Sequence, residues 1–212
     1  MGTTTLEIKP LPKMPGKDPV VQKFMQDIPE LVSLNPVQYD WFYWTNYSRV
    51  NPRRFWDSVV APLLVTFPPL KNSFSSSLKA DLYKAPPLPM LRPNNSLQKV
   101  AGEHASELAK KKAGPSHTSP SGRTFEDRMV AAGIQSCAGE NISFGPWDPV
   151  LMLTLLYIDE GVSNLGHRKS LLEPSYQEMG IGAGVYPDNR VLVVQDFACS
   201  QESGRVSRGT GR

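Results

Sequence analysis

Several things are scarce in this chain, and each scarcity removes a class of explanation. There are only two cysteines in 212 residues, Cys137 and Cys199, which excludes a cysteine-dense disulfide scaffold and a multi-thiolate zinc fold. At this stage they can be one bridge or two buried thiols. No apolar run approaches the roughly 18 residues of a membrane span, and the opening stretch "MGTTTLEIKPLPKMPGKDP" lacks the apolar centre of a signal peptide. That leaves a cytosolic protein or a mature form whose leader has been removed. The same stretch carries Leu6 where a myristoylation signal needs Ser or Thr. Neither glycine-rich phosphate loop is present, and no Gly-x-Ser-x-Gly nucleophile elbow occurs, so nucleotide chemistry and the serine-hydrolase pattern have no footing. Charge imbalance is also missing. The formal charge is +3, but Arg205, Arg208 and Arg212 lie in the last ten residues without an acid, so the rest sums to zero and no basic face for nucleic acid is indicated.

What is present suits one folded domain. Hydrophobic residues make up 40% and charged residues 20%, enough for one sizeable core and unlike a disordered chain. We expect an extension over 1–34 that wraps the surface or trails from it, a domain over 35–200, and a flexible Arg/Gly/Ser tail over 201–212.

Helix starts recur in one style. Asn35-Pro36, Asn51-Pro52 and Asp148-Pro149 each put a capping side chain before a proline in the first turn. The first helix carries Val37, Trp41, Trp44 and Ser48 on one stripe, with Phe42, Tyr43 and Tyr47 beside it, a core-packing pattern. The second ends near Ala61-Pro62. From 62 to 95 seven prolines and "NSFSSS" predict a long loop. Ser96 then caps a helix with Leu97, Val100, Ala101, Ala105, Leu108 and Ala109 on its apolar face, and His104 on that face reads as a packed histidine. A polar loop delivers His117; a helix begins at Thr124 with Asp127 three places on and stops at Gly133. "AGENISFG" is a short strand, "PVLMLTLLYI" a helix apolar on nearly all sides, and "MGIGAGVY" with "VLVVQDFA" a hairpin around "PDNR". The order gives an α+β sandwich, an antiparallel sheet covered by helices.

Four residues at element edges hold the chemistry: His117, Glu140, Glu160 and His167. Two imidazoles and two carboxylates in one groove suit a divalent cation such as zinc, or acid and base groups. Their spacing of 23, 20 and 7 residues matches no local zinc signature. A plain structural reading also fits, with Glu140 capping a strand start and His167 packing at a turn.

The runs "HTSPSGRTFEDRMVAAGI", "CAGENISFG", "YIDEGVSNLGHRKSLLEPSYQEMGIGAGV" and "VLVVQDFA", in this order and spacing, resemble the CAP superfamily, the SCP-like domain of cysteine-rich secretory proteins, venom allergens and plant pathogenesis-related proteins, in its bacterial or lower-eukaryote type. The resemblance spans roughly 35–198. It implies a three-layer α-β-α sandwich and a central cleft in which His117, Glu140 and His167 match family positions, with Glu160 matching a family acid if Tyr157 stands for the usual tryptophan. It also implies a Cys137–Cys199 bridge, with Cα atoms within about 7 Å, stabilising by roughly 4 kcal/mol on the chain-entropy model and placing the chain outside the cell or in the periplasm. The cytoplasm is the alternative.

Three functions follow from the resemblance and the residues. One is a secreted binding module for a divalent cation, a small molecule, a lipid or a sterol. The second is a metal-dependent, peptidase-like hydrolase in which His117 and His167 hold zinc and Glu140 is the base. The third is an interaction protein with a vestigial cleft. The binding module has the better support, because a hydrolase needs a third ligand and an oxyanion donor set that the sequence does not supply. Pro86–Leu91, "PPLPML", is the one candidate for a lipid groove, set against a packed proline-rich loop.

Overall fold

The computed structural model describes residues 6–7, 9–134, 137–145 and 148–200, so the tail at 201–212 lies outside the described residues. Helices α1 (Pro19–Gln26) and α2 (Pro29–Val32) come first. They do not trail from the surface: Val21, Met25 and Leu31 are fully buried in the main core. The Asp18 backbone N–H donates to the Tyr43 hydroxyl at 2.6 Å, and Lys17 lies over the Tyr43 ring at 3.8 Å. An aromatic helix needs its face covered, and this segment covers it.

The covered helix is α3 (Pro36–Val50), started by Asn35, whose side chain accepts from Gln38 N at 3.0 Å. After it, α4 (Pro52–Phe55) does not end near Ala61-Pro62. A π turn at Trp56–Val60 leads into α5 (Ala61–Thr66). Pro62 falls in the first turn of α5, where its missing N–H costs nothing. Asn51, expected to cap, makes no side-chain cap bond.

The predicted loop at 62–95 contains a further helix, α6 (Ser73–Lys84). Its prolines do mark breaks, with a 3₁₀ turn at Pro68–Leu70 and no regular structure at 86–91, but none falls between 70 and 85. Within that window Asn72 and Ser75 form a capping box: Asn72 Oδ1 accepts from Ser75 N at 3.1 Å and Ser75 Oγ accepts from Asn72 N at 3.0 Å. Pro86–Leu91 is the packed alternative. Leu88 and Leu91 are buried, and Asn46 makes reciprocal bonds to Leu91 N (2.7 Å) and Leu91 O (3.1 Å).

Strand β1 (Arg92–Pro93) leads into α7 (Asn95–Lys110), capped by Asn94 rather than Ser96, because the Asn94 carboxamide accepts from Ser96 N and Leu97 N. Then come α8 (Phe125–Ala131), with the expected Thr124–Asp127 capping box; β2 (Ala138–Gly145); α9 (Pro149–Ile158); α10 (Gly166–Leu171); β3 (Glu178–Val185); and β4 (Val191–Ala198). The sheet runs β1-β3-β4-β2, with β2 an edge strand, β1 parallel to β3 and the other pairs antiparallel.

Even-numbered residues of β2 and β4 share a core with α7, as Ile142, Leu192 and Val194 show; odd-numbered ones such as Val191, Val193 and Phe197 belong to the large core with α3 and α9. This is the α-β-α sandwich. The glycines of β3 explain how close the first layer lies: a Cβ on Gly180, Gly182 or Gly184 would overlap the α7 backbone at Leu97, Ala101 or Ala105 respectively. At the sheet end Cys137 and Cys199 form the bridge, Cα atoms 5.5 Å apart, and Cys199 N–H donates to Cys137 O at 2.9 Å, continuing the β2–β4 ladder. No helix among the described residues is long and apolar enough to cross a membrane.

Candidate functional site

Glu140 is the third residue of β2 and points to the α7 side. Its carboxylate, 1% exposed, accepts from His117 Nδ1 at 2.8 Å on one oxygen and from Arg128 Nη2 at 2.6 Å on the other. A carboxylate oxygen offers no hydrogen, so the proton of this bond sits on His117 Nδ1, and in the neutral imidazole the lone pair is then on Nε2. The His117 side chain is 50% exposed.

The loop holding His117 is pinned from both sides. Arg128 of α8, itself buried, donates to the His117 backbone carbonyl at 2.9 Å and to Ser119 Oγ at 3.3 Å. His104 of α7 has Nε2 2.8 Å from Ser116 O and Nδ1 3.0 Å from Ser119 Oγ. A carbonyl only accepts, so Nε2 carries the hydrogen and Nδ1 accepts from the serine. Burial lowers the His104 pKa below its ordinary value, against the opposing charge of Glu140. The packed role expected for His104 is thus the observed one, and it includes steadying the loop of His117.

His167 opens α10. Its Nδ1 is 2.6 Å from Asp159 Oδ1, while Asp159 Oδ2 accepts from the backbone N–H of His167 at 3.0 Å and of Arg168 at 3.3 Å. Asp159 therefore caps α10 and orients the imidazole together. The acid on His167 is Asp159. The reason is local: α9 ends at Ile158, Asp159 takes a left-handed conformation (φ 57°), and this reversal brings its buried carboxylate back over the start of α10. Glu160, one place further on, is half-buried.

Arg168 ties the same corner to the rest of the fold. All five of its N–H groups are used, on Tyr157 O (2.8 Å), Ile158 O (2.8 Å), Phe74 O (2.9 Å), Ser77 Oγ (2.9 Å) and Asp81 Oδ2 (2.9 Å). It closes the carbonyl end of α9 and fastens α6 to it.

The two histidine–carboxylate pairs meet at β2. Glu140 lies under His117, and its neighbour Asn141, on the opposite face of the strand, donates from Nδ2 to the His167 backbone carbonyl at 3.2 Å. The structure thus joins His117 to Glu140 and His167 to Asp159, one on each side of an edge strand. Among the described residues no group of three or more His, Cys, Asp or Glu side chains is placed to share one metal ion. Sequence reasoning missed Arg128, Asp159 and Asp196. The last is a buried carboxyl inside "VLVVQDFA", directly across β4 from Glu140. An acid on the α7 face of an otherwise apolar strand was the signal that could have found it.

The family model of the cysteine-rich secretory protein family, CAP, matches residues 45–197. Among solved structures, an extracellular SCP-domain protein of Bacillus anthracis strain Ames is 31% identical with a TM-score of 0.43, over 53% of this chain and 35% of that one. An outer surface protein of Borrelia burgdorferi is 20% identical with a TM-score of 0.46, over 60% of this chain and 90% of that one. Venom allergen-like protein 4 of Schistosoma mansoni is 14% identical with a TM-score of 0.48, over 78% of this chain and 90% of that one. A comparison with curated protein sequences gives no match. With the motifs, the sandwich and the family model in agreement, this chain belongs to the cysteine-rich secretory protein family, the CAP superfamily.

Proposed function

We propose that this CAP domain is an extracellular or periplasmic binding module whose His117 and His167 take a divalent cation, zinc foremost, through their Nε2 atoms. One observation carries the reading: both imidazoles have Nδ1 fixed by a buried carboxylate, at 2.8 and 2.6 Å, the outer-shell arrangement that orients metal-binding histidines. Neutral imidazole nitrogen suits zinc. Bound there, the cation would supply positive charge at the histidines. With two protein ligands it would leave positions for water or for a small anionic ligand, which fits capture better than permanent structural use. The disulfide supports that location, because such bridges persist in oxidising compartments.

The hydrolase reading has less behind it. Glu140, its candidate base, is 1% exposed and braced between His117 and Arg128, so it is withdrawn from the solvent that would bring an attacking water. Lipid or sterol binding has less still, because the segment offered for it, Pro86–Leu91, is packed against the core.

Isothermal titration of the metal-free protein with zinc tests the proposal. One equivalent should bind, and His117→Ala and His167→Ala should each lower affinity about tenfold or more. Binding that neither substitution changes refutes it.

A further inference from the structure

Asp196 is a buried acid that the cation site does not explain. It is fully buried on β4, with Glu140 of β2 across from it on one side and Gly180 of β3 on the other. Neither oxygen has a hydrogen-bond donor among the described residues. Cys199 N–H donates to Cys137 O, which makes the odd-numbered β2–β4 pairs the hydrogen-bonded ones. Glu140 and Asp196 are consequently a non-hydrogen-bonded pair, the class in which facing side chains lie closest.

The charges around this pair can be counted. Glu140 faces Asp196 from β2 and Arg128 faces it from α8; β3 contributes Gly180, which has no side chain; α7 contributes the backbone at Leu97 and, near Glu140 and Arg128, His104. His104 is already engaged with Ser116 and Ser119. His117, from its loop, gives Nδ1 to Glu140 at 2.8 Å, so among the described residues one guanidinium and one imidazole face two carboxyls, with no lysine or second arginine beside them. Two ionised carboxylates in contact would repel without compensation, whereas one proton between them turns the repulsion into a hydrogen bond. Burial, followed by the charge of Glu140, raises the Asp196 pKa well above its ordinary value.

We propose that Asp196 is a carboxylic acid at neutral pH, that it donates its proton in a hydrogen bond to Glu140, and that it thereby acts as a positioning residue for His117. Glu140 then meets three donors, His117 Nδ1–H, Arg128 and Asp196 O–H, and is fixed as the acceptor that keeps the His117 proton on Nδ1 and Nε2 outward. The proton on Asp196 stands apart from the cation reading; only its consequence for zinc rests on it.

The test uses the full chain, as wild type, Asp196→Asn and Asp196→Val. Infrared spectroscopy at pH 7 should show the carbonyl stretch of one protonated carboxylic acid in the wild type, absent in Asp196→Asn; a wild type without that band overturns the proposal. ¹H NMR should show the His117 Nδ1–H proton exchanging slowly with water in the wild type and in Asp196→Asn, whose amide still donates, and about tenfold or more faster in Asp196→Val, where Glu140 is held by one donor fewer. Unchanged exchange in Asp196→Val refutes the positioning role. Zinc affinity should follow the same order, kept within about twofold in Asp196→Asn and lowered about tenfold in Asp196→Val. Should the wild type bind no zinc, the cation reading falls while the infrared and NMR results still decide the role of Asp196.

Discussion

Replacing Arg168 by Met removes the largest set of buried bonds made by one side chain near the site. The guanidinium is 2% exposed and gives its five N–H groups to five acceptors, three of them backbone carbonyls: Tyr157 and Ile158 at the end of α9, and Phe74 in α6. Methionine fills much of the same volume, so the cavity contribution is small. What remains is the cost of leaving those carbonyls unsatisfied. Each net bond to a charged donor is worth about 1.5–3 kcal/mol, and they are not additive. Breaking a buried ionic network by removing one member costs about 3–5 kcal/mol. The partner Asp81 is half exposed and regains water, so we take the lower half of that range, about 3–4 kcal/mol. Urea unfolding followed by tryptophan fluorescence measures it, with the slope against denaturant unchanged if the denatured state is unaffected. Arg168→Lys should recover only part, because one ammonium cannot reach acceptors on two helices. A loss below about 1 kcal/mol for Arg168→Met would refute the claim that this arginine fastens α6 and α10 to α9.

Two further outcomes follow from the sheet. Gly182→Ala should destabilise by about 1–3 kcal/mol or more, since its methyl group meets the α7 backbone at Ala101, which cannot turn aside; thermal or urea unfolding measures this, and a neutral result contradicts the close α7–β3 packing. The stability gap between Asp196→Asn and wild type should depend on pH, with a definite sign. The folded-state pKa of Asp196 lies above that of the unfolded chain, about 3.9. Below that pH both states hold the proton and its contribution is complete. As pH rises the unfolded chain releases the proton first, so wild type loses stability relative to Asp196→Asn, by at most about 1.4 kcal/mol per pH unit, until the folded group ionises. Paired unfolding curves from pH 4 to pH 8 read the gap, and a constant gap contradicts the shared proton.

Much of this fold was legible where local chemistry is strong. Asn35-Pro36, Thr124 with Asp127 and Asp148-Pro149 announce α3, α8 and α9, and the apolar stripe from Leu97 to Ala109 announces α7. The α6 helix was not legible, because "NSFSSSLKADLYK" has weak helix formers at its start and a thin apolar stripe, Leu78 and Leu82. Its Ser77 and Phe74 are held from a distance by Arg168, a contact no local window contains.

In the site, His117, Glu140 and His167 stood out as polar residues at element edges. Asp159 did not stand out because its role depends on the direction of the helix end, where one residue turns the side chain by about 100°. Arg128 reads as an ordinary basic residue in a helix's last turn, and only the folded chain puts it on Glu140. The pairing of Cys137 with Cys199 came from the resemblance, and the β2–β4 register now supplies its geometry.

The proposed cation site requires that two distant histidines, each braced by its own buried acid, present Nε2 atoms to one zinc ion. A crystal of the wild-type protein soaked in zinc, with diffraction collected on both sides of the zinc absorption edge, decides this. One strong anomalous peak is expected about 2.0–2.1 Å from Nε2 of both His117 and His167, with Nδ1 still on Glu140 and Asp159. Zinc found only elsewhere on the surface, or bound through Nδ1 with either carboxylate displaced, would contradict it.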